Sequence, residues 1–167
     1  MTAVSGLGRS EPAPVVVLGV GNELLTDEGL GVVAARALSD CGLPGVEVVE
    51  AGTPGLALLP TIVGREAVLI LDAVAADGAV PGDLFVLRDE EVPRAQSMFH
   101  TAHQVGVADA LAAAELAGCE PSRLAVVGMV PACLDVGYGL SQLVRERIGA
   151  LVDLARALLG EWVVGHA

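Results

Sequence analysis

The sequence predicts a three-layer, doubly wound α/β domain: a mostly parallel central sheet of about five strands with helices on both faces. Three observations predict it. Short apolar runs alternate with stretches of helical periodicity. Ala, Val, Leu and Gly dominate while aromatic residues make up only 2 %, which suits strands buried on both faces. The chain has 167 residues, enough for one domain with a sizeable core.

The elements follow in order. Val15 to Val20 is the first strand. Gly29 to Ser39 is the first helix, with Leu30, Val33, Ala34 and Leu38 on one side, ended by Gly42 and Pro44. Val46 to Val49 is a short second strand; a turn cluster, Glu50 to Gly55, leads into a helical stretch through Leu56, Leu59 and Ile62. Ala67 to Leu71 is a third strand that ends at Asp72, and Asp83 to Leu87 a fourth, after the turn Pro81-Gly82. Arg88 to Ala102 reads as a loop and His103 to Ala117 as a helix. Arg123 to Val130 is a fifth strand. Leu140 to Leu159 is a long closing helix, with Leu140, Leu143, Val144, Ile148, Leu151, Val152, Ala155 and Leu158 on one face. Residues 15–160 form a single domain, 1–14 a loose, flexible N-terminal tail and 161–167 a C-terminal tail.

The most informative stretch is Val15 to Val32. An apolar run ends in Gly19-Val20-Gly21-Asn22, two acids follow, Asp27 and Glu28, and then a helix starts. That order places the acids near the carboxyl end of a buried parallel strand, where open α/β sheets hold their ligands. A dinucleotide fingerprint fails here, because Leu24 takes the place of the third glycine. Acids at a helix N-terminus also repel the pyrophosphate that would bind there. Such a turn suits a cation better. The alternative is structural: Thr26 or Asp27 caps the helix and Glu28 favours its dipole. This segment alone leaves both readings open.

Composition removes other classes. The net charge of −12 makes nucleic acid and anionic membranes poor partners. There is no lysine among the nine basic residues, which excludes a Schiff-base lysine, a Walker lysine and a Ser–Lys dyad. No Gly-x-Ser-x-Gly elbow occurs. Cys41, Cys119 and Cys133 form no Cys-x-x-Cys pair and read as buried free thiols in a reducing cytosol. Residues Met1 to Pro14 lack the basic and apolar regions of a signal peptide, and no apolar run spans a membrane. A cytoplasmic location is expected.

Candidate chemistry gathers at strand ends. Asp72 directly follows five apolar residues and is either a solvated strand end or a site residue. His166 lies in the C-terminal tail, while His100 and His103 flank Thr101-Ala102 before a helix. Glu28, Asp72 and His103 can converge at one edge of the sheet. Two carboxylates and one imidazole leave coordination positions open for an external ligand. That donor set does not choose between zinc, nickel, iron and manganese.

These residues sit within a longer pattern. Gly19-Val20-Gly21-Asn22-Glu23-Leu24-Leu25-Thr26-Asp27-Glu28-Gly29-Leu30-Gly31-Val32 closely resembles the opening motif of the hydrogenase maturation endopeptidases. The resemblance continues through Gly52-Thr53-Pro54-Gly55, Leu71-Asp72-Ala73 and Arg88-Asp89-Glu90-Glu91-Val92-Pro93. It runs on through His103-Gln104-Val105-Gly106, Val127-Gly128-Met129-Val130-Pro131 and Gly139-Leu140-Ser141. It covers about residues 15 to 160, in order. Two positions depart from it: Glu50, where the motif often has Asp, and Ala132, where an acid often follows the proline.

The resemblance implies an α/β fold and three metal-contacting residues, which fall by motif on Glu28, Asp72 and His103. It implies a substrate, the precursor of an [NiFe]-hydrogenase large subunit that already holds its nickel. A short C-terminal peptide is removed just beyond the last metal-binding Cys-x-x-Cys-x-x-His/Arg motif. The nickel is then supplied by the substrate, with another divalent metal able to occupy the site in isolation. The enzyme is expected to be a monomer with no nucleic-acid or membrane partner. No His-Glu-x-x-His helix is present, against a conventional zinc protease. Hydrolysis proceeds either through a metal-polarised carbonyl or with a carboxylate, Asp72 or Glu28, as general base in the manner of an aspartyl protease. In a third reading the three residues recognise metal and do nothing more. Two other classes compete: a non-proteolytic nickel-sensing protein of hydrogenase assembly, and a nucleotide-binding α/β domain.

Overall fold

Five strands build one sheet in the order β2-β1-β3-β5-β4: β1 (Val15–Val20), β2 (Val46–Gly52), β3 (Ala67–Ala73), β4 (Leu84–Arg88) and β5 (Arg123–Met129). The computed structural model describes residues 13–53, 55–94 and 102–164, and their side chains except at 93–94, 102–105 and 164. Neighbouring strands are parallel except for β4, which runs antiparallel to β5. The predicted three-layer, mostly parallel sheet is thus the observed one.

Strand alternation sorts the core onto two faces. On one face Val15 and Val17 of β1, Leu69 and Leu71 of β3, and Val127 and Met129 of β5 are buried. Against them pack α1 (Leu30–Ser39), through Leu30 and Leu38, and α5 (Gln142–Val164), through Val144, Leu151 and Leu158. On the other face Val16, Leu18, Val68, Ile70 and Val126 meet α2 (Leu59–Ile62), through Ile62, and α4 (Ala102–Leu116), through Val107 and Ala110. Fully burying one such aliphatic side chain contributes roughly 1.5–3 kcal/mol. A short helix, α3 (Glu91–Arg94), sets its Val92 into the same second face.

Several elements extend beyond their sequence-predicted bounds. The second strand reaches Gly52 because it pairs with β1 as far as Val20. Asp72 lies within the third strand, paired with Gly128 of β5. The region read as a loop from Arg88 contains α3, and α4 begins at Ala102. The closing helix starts at Gln142 and runs to Val164, burying Trp162. Residues 161–164 therefore belong to a helix and not to a tail. Leu143, expected on its buried face, is partly exposed. Ala13 and Pro14, assigned by sequence to the tail, are hydrogen-bonded: the Pro14 carbonyl accepts from Glu66 N–H at 2.8 Å. Buried Arg65 donates to the Ala13 carbonyl at 2.6 Å and to the Glu47 carboxylate at 2.6 Å. The cysteines are free, but Cys41 and Cys119 are exposed and Cys133 is half-buried, against the expectation of buried thiols. Residues 1–12, His100 and 165–167, including His166, lie outside the described residues.

The chain leaves β1 for β2 on one side, and β3 then adds on the other. The order reverses between β1 and β3, and this is where open α/β sheets open a crevice at their carboxyl edge. Glycines let the backbone close in at this point. A Cβ on Gly31 would overlap the carbonyl oxygens of both Val20 and Leu71, so the first turn of α1 sits directly over the ends of β1 and β3. Gly19 lies within β1 and makes a close approach to α1 at Gly31 and Ala35, while Gly21 forms the exit turn with a φ of 132°.

A Cβ at Gly21 would collide with the Glu28 carbonyl oxygen, in a backbone conformation that side chains rarely adopt. Gly21→Val is therefore expected to destabilise the fold by about 3 kcal/mol or more, strain and overlap acting together. Urea unfolding measures this, and an unchanged midpoint would show that the turn relaxes freely.

Candidate active site

The carboxyl edge is assembled from the turn after β1 outward. Gly21 N–H donates to the Gly52 carbonyl at 2.9 Å, tying the exits of β1 and β2 together. Asn22 then turns the chain: its Oδ1 accepts from Leu24 N–H at 3.0 Å and its carbonyl accepts from Leu25 N–H at 3.0 Å. A single 3₁₀ turn, Thr26–Gly29, follows and runs directly into α1.

The two acids of that turn have different tasks. Asp27 is fully buried. Its Oδ2 accepts from the backbone N–H groups of Ala132 and Cys133, each at 2.9 Å, and its Oδ1 accepts from Ser141 N–H at 2.6 Å. Asp27 N–H donates in return to the Cys133 carbonyl at 3.1 Å. The Thr26 hydroxyl donates to the same carbonyl at 2.7 Å. Neither the 3₁₀ turn nor α1 has a side-chain cap. The capping alternative is thus replaced by a clamp on the loop after β5. The partners lie 105 to 114 residues away, and no local sequence signal marks them.

Glu28 is buried in the same turn, which packs against β3. Asp72 is buried at the end of β3, its Oδ1 accepting from Ala73 N–H at 2.8 Å. By strand alternation Asp72 shares the α4 face with Val68 and Ile70. The backbone of His103 lies in the first turn of α4; its side chain is outside the described residues. One turn further on, Gly106 packs so closely on Gly55 that a Cβ there would overlap the Gly55 Cα. Gly55 follows the carboxyl end of β2, so α4 starts at the carboxyl edge. The structure thus brings Glu28, Asp72 and the His103 backbone to one edge, Asp72 and α4 on one face. Among the described residues, no three His, Cys, Asp or Glu side chains form a ready metal cluster.

Glu50 also has a visible role. Arg36 of α1 donates to the Glu50 carboxylate at 2.6 Å and to Glu23 at 3.2 Å. The hydrogen bond that Glu50 accepts, then that which Glu23 accepts, holds the guanidinium pKa above its ordinary value. Glu23 and Glu50 face a depression of about 410 Å³ that Gly21, Leu24, Thr53 and Tyr138 also line. Sequence reading missed this bridge because its members come from three separate elements.

The family model for hydrogenase maturation protease matches residues 33–157. The chain belongs to the hydrogenase maturation protease family. It is 39 % identical over 149 residues to the hydrogenase 2 maturation protease of Escherichia coli K12, covering 88 % of this chain and 91 % of that one. It is 39 % identical over 152 residues to the hydrogenase expression/formation protein HupD of Rhodobacter capsulatus, covering 88 % and 70 %. The solved hydrogenase maturating endopeptidase HybD of E. coli superposes with a TM-score of 0.82 at 37 % identity, over 88 % of this chain and 92 % of that one. The HybD protease of Thermococcus kodakarensis follows at 0.72 and 30 %, over 86 % and 97 %. Membership makes this chain a peptidase of hydrogenase maturation, and the nucleotide-binding and non-proteolytic readings fall away. Among the described residues no helix is long and apolar enough to cross a membrane.

The Asp27 clamp is testable apart from chemistry. Asp27→Ala leaves three backbone donors without their acceptor and is expected to destabilise the maturation protease by about 3 kcal/mol. Denaturant unfolding checks it; a loss below about 0.5 kcal/mol, the range of ordinary surface changes, would contradict the clamp.

Proposed function

We propose that this protease removes the C-terminal extension of an [NiFe]-hydrogenase large-subunit precursor that already carries nickel. We further propose that Glu28, Asp72 and His103 read that nickel. The observation that carries the reading is a pair of buried carboxylates, Glu28 and Asp72, at the carboxyl edge where the strand order reverses, with the first turn of α4 arriving at the same edge. Carboxylate oxygens at a sheet edge suit a divalent ion, and the two oxygens and one nitrogen leave positions for thiolates of the substrate. Nickel is part of the substrate in this scheme, and another divalent ion can take its place on the isolated protein. The enzyme works as a monomer in the cytoplasm.

The same residues serve hydrolysis. With the precursor's metal at the edge, the extension lies across Glu28 and Asp72. One carboxylate takes a proton from water as its oxygen attacks the scissile carbonyl carbon, and returns that proton to the amide nitrogen as the C–N bond breaks. The clamp on Asp27 fixes the turn that carries Glu28, and β3 fixes Asp72, so neither needs to reorganise as charge develops.

The deciding assay offers the protein nickel-loaded and nickel-free precursor in chelator-treated buffer. Trimming of the loaded form alone is expected; equal trimming of both would falsify nickel gating. His103→Ala and Asp72→Asn should retain the thermal midpoint within a few degrees. Their processing rates should fall by about a hundredfold or more, the scale of a lost acid–base group. Variants that trim at the wild-type rate would remove these residues from the site. Metal affinity of the isolated protein should be weak, because a three-ligand set lacks the closed shell of a structural site; calorimetry with nickel alone measures it.

A further inference from the structure

Among the described residues, two that are not glycine hold a left-handed backbone: Asp89 with a φ of 43° and Thr26 with a φ of 47°. Aspartate tolerates that region, whereas a β-branched residue is an outlier there. Every other positive φ among the described residues belongs to a glycine. Thr26 is also the residue that turns the chain toward Glu28. It is second in a four-residue turn that Glu28 N–H closes by donating to the Leu25 carbonyl at 3.1 Å. Turns with a positive φ at that position draw Gly, Asn or Asp. Rotation about the Thr26 N–Cα bond swings Asp27 and Glu28 with it. This φ therefore sets the direction from which Glu28 meets the edge of the sheet.

Contacts on every part of the residue hold this conformation. Thr26 N–H donates to the Gly137 carbonyl at 3.1 Å. Its hydroxyl donates to the Cys133 carbonyl at 2.7 Å, with the Asp135 carbonyl as a second acceptor at 3.2 Å. Its methyl lies against Gly137, where a Cβ would stand 3.1 Å from it. All of these partners belong to the loop between β5 and α5. Strained residues persist where their surroundings over-determine them, and they gather where exact geometry serves function. A glycine would reach the same φ without penalty but would leave the turn free to adopt others. Asp27 does not replace this hold. Its carboxylate ties the loop through a rotatable side chain, whereas Thr26 fixes the path of the main chain.

We infer that Thr26 is a positioning residue of this peptidase: its strained turn, gripped by residues 133–137, aims Glu28 at the substrate. This rests on Glu28 being a site residue, as proposed above. Thr26 acts through Glu28 and takes no part in the bond changes. Stability and rate should then respond differently when the strain is relieved. The fold loses little, because the penalty of the left-handed φ disappears together with the contacts that held it. The rate falls, because Glu28 then samples orientations in which it does not meet the reacting groups.

The test follows trimming of the nickel-loaded precursor by the full-length protein, with kcat and KM separated and the thermal midpoint read beside them. Thr26→Gly should hold its midpoint within a few degrees and lower kcat about tenfold or more, with KM moving far less. Thr26→Ser keeps the hydroxyl and should recover most of that rate. Thr26→Gly is then repeated on a Glu28→Gln background. If Thr26 acts through Glu28, it should cost nothing further once Glu28→Gln has slowed the enzyme. Equal losses in both backgrounds would overturn the inference. So would a wild-type kcat in Thr26→Gly, or a Thr26→Ser as slow as Thr26→Gly. A large fall in the Thr26→Gly midpoint would make Thr26 a structural residue and overturn it too. All these results leave the proposed reaction standing as long as Glu28→Gln alone is slow. A Glu28→Gln variant that trims at the wild-type rate overturns the proposed role of Glu28 and, with it, the role of Thr26. A wild type that leaves the loaded precursor uncut overturns the proposed reaction and the inference that rests on it.

Discussion

The carboxyl edge of this molecule is organised around one buried side chain. Asp27 brings a carboxylate into the interior and fills its lone pairs with three backbone N–H groups from the loop between β5 and α5. A charged acceptor makes those bonds stronger than neutral ones, and they tie chain segments more than a hundred residues apart. Two consequences follow from one contact. The 3₁₀ turn is fixed, which sets where Glu28 stands, and the loop carrying Val136 and Tyr138 is fixed beside it. The acid next to the proposed site residue therefore acts on position rather than chemistry.

The second constraint is steric. Helix α1 begins directly over the ends of β1 and β3, where only a glycine fits at position 31. That close approach puts Glu28 and Asp72 on neighbouring ground, because the turn before α1 lies against the end of β3. On the opposite face Gly55 and Gly106 let α4 approach the exit of β2. The crevice at the strand reversal is thus bounded on both sides by helices that come unusually near the backbone of the sheet and its turns. Arg36 ties the turn after β1 to β2 by holding Glu50 and Glu23 together, leaving one net negative charge between the three groups.

These features fit an enzyme whose substrate is another folded protein. The recognition chemistry we propose is small, two carboxylates and an imidazole, whereas a hydrogenase precursor is large. In the proposed function the acids supply metal recognition. The Asp27 clamp fixes the turn that carries Glu28.

The sequence by itself determined the layered α/β class and most strand and helix positions, because periodicity and glycine turns are local properties that burial follows. Val15–Val20 reads directly as a strand buried on both faces, and it is one. Sequence also singled out Glu28, Asp72 and His103 as candidates, Asp72 because it ends an apolar run, Glu28 because it stands between a strand and a helix start, and all three through the motifs of the family. It placed the thiols in the core and began the C-terminal tail too early, at residue 161. Exposure of Cys41 and burial of Trp162 depend on which neighbouring elements arrive. The division of labour between Asp27 and Glu28 was decided only in three dimensions. Adjacent acids look alike in a string of residues, and the hydrogen bonds that separate them come from a loop that only the folded sheet brings near.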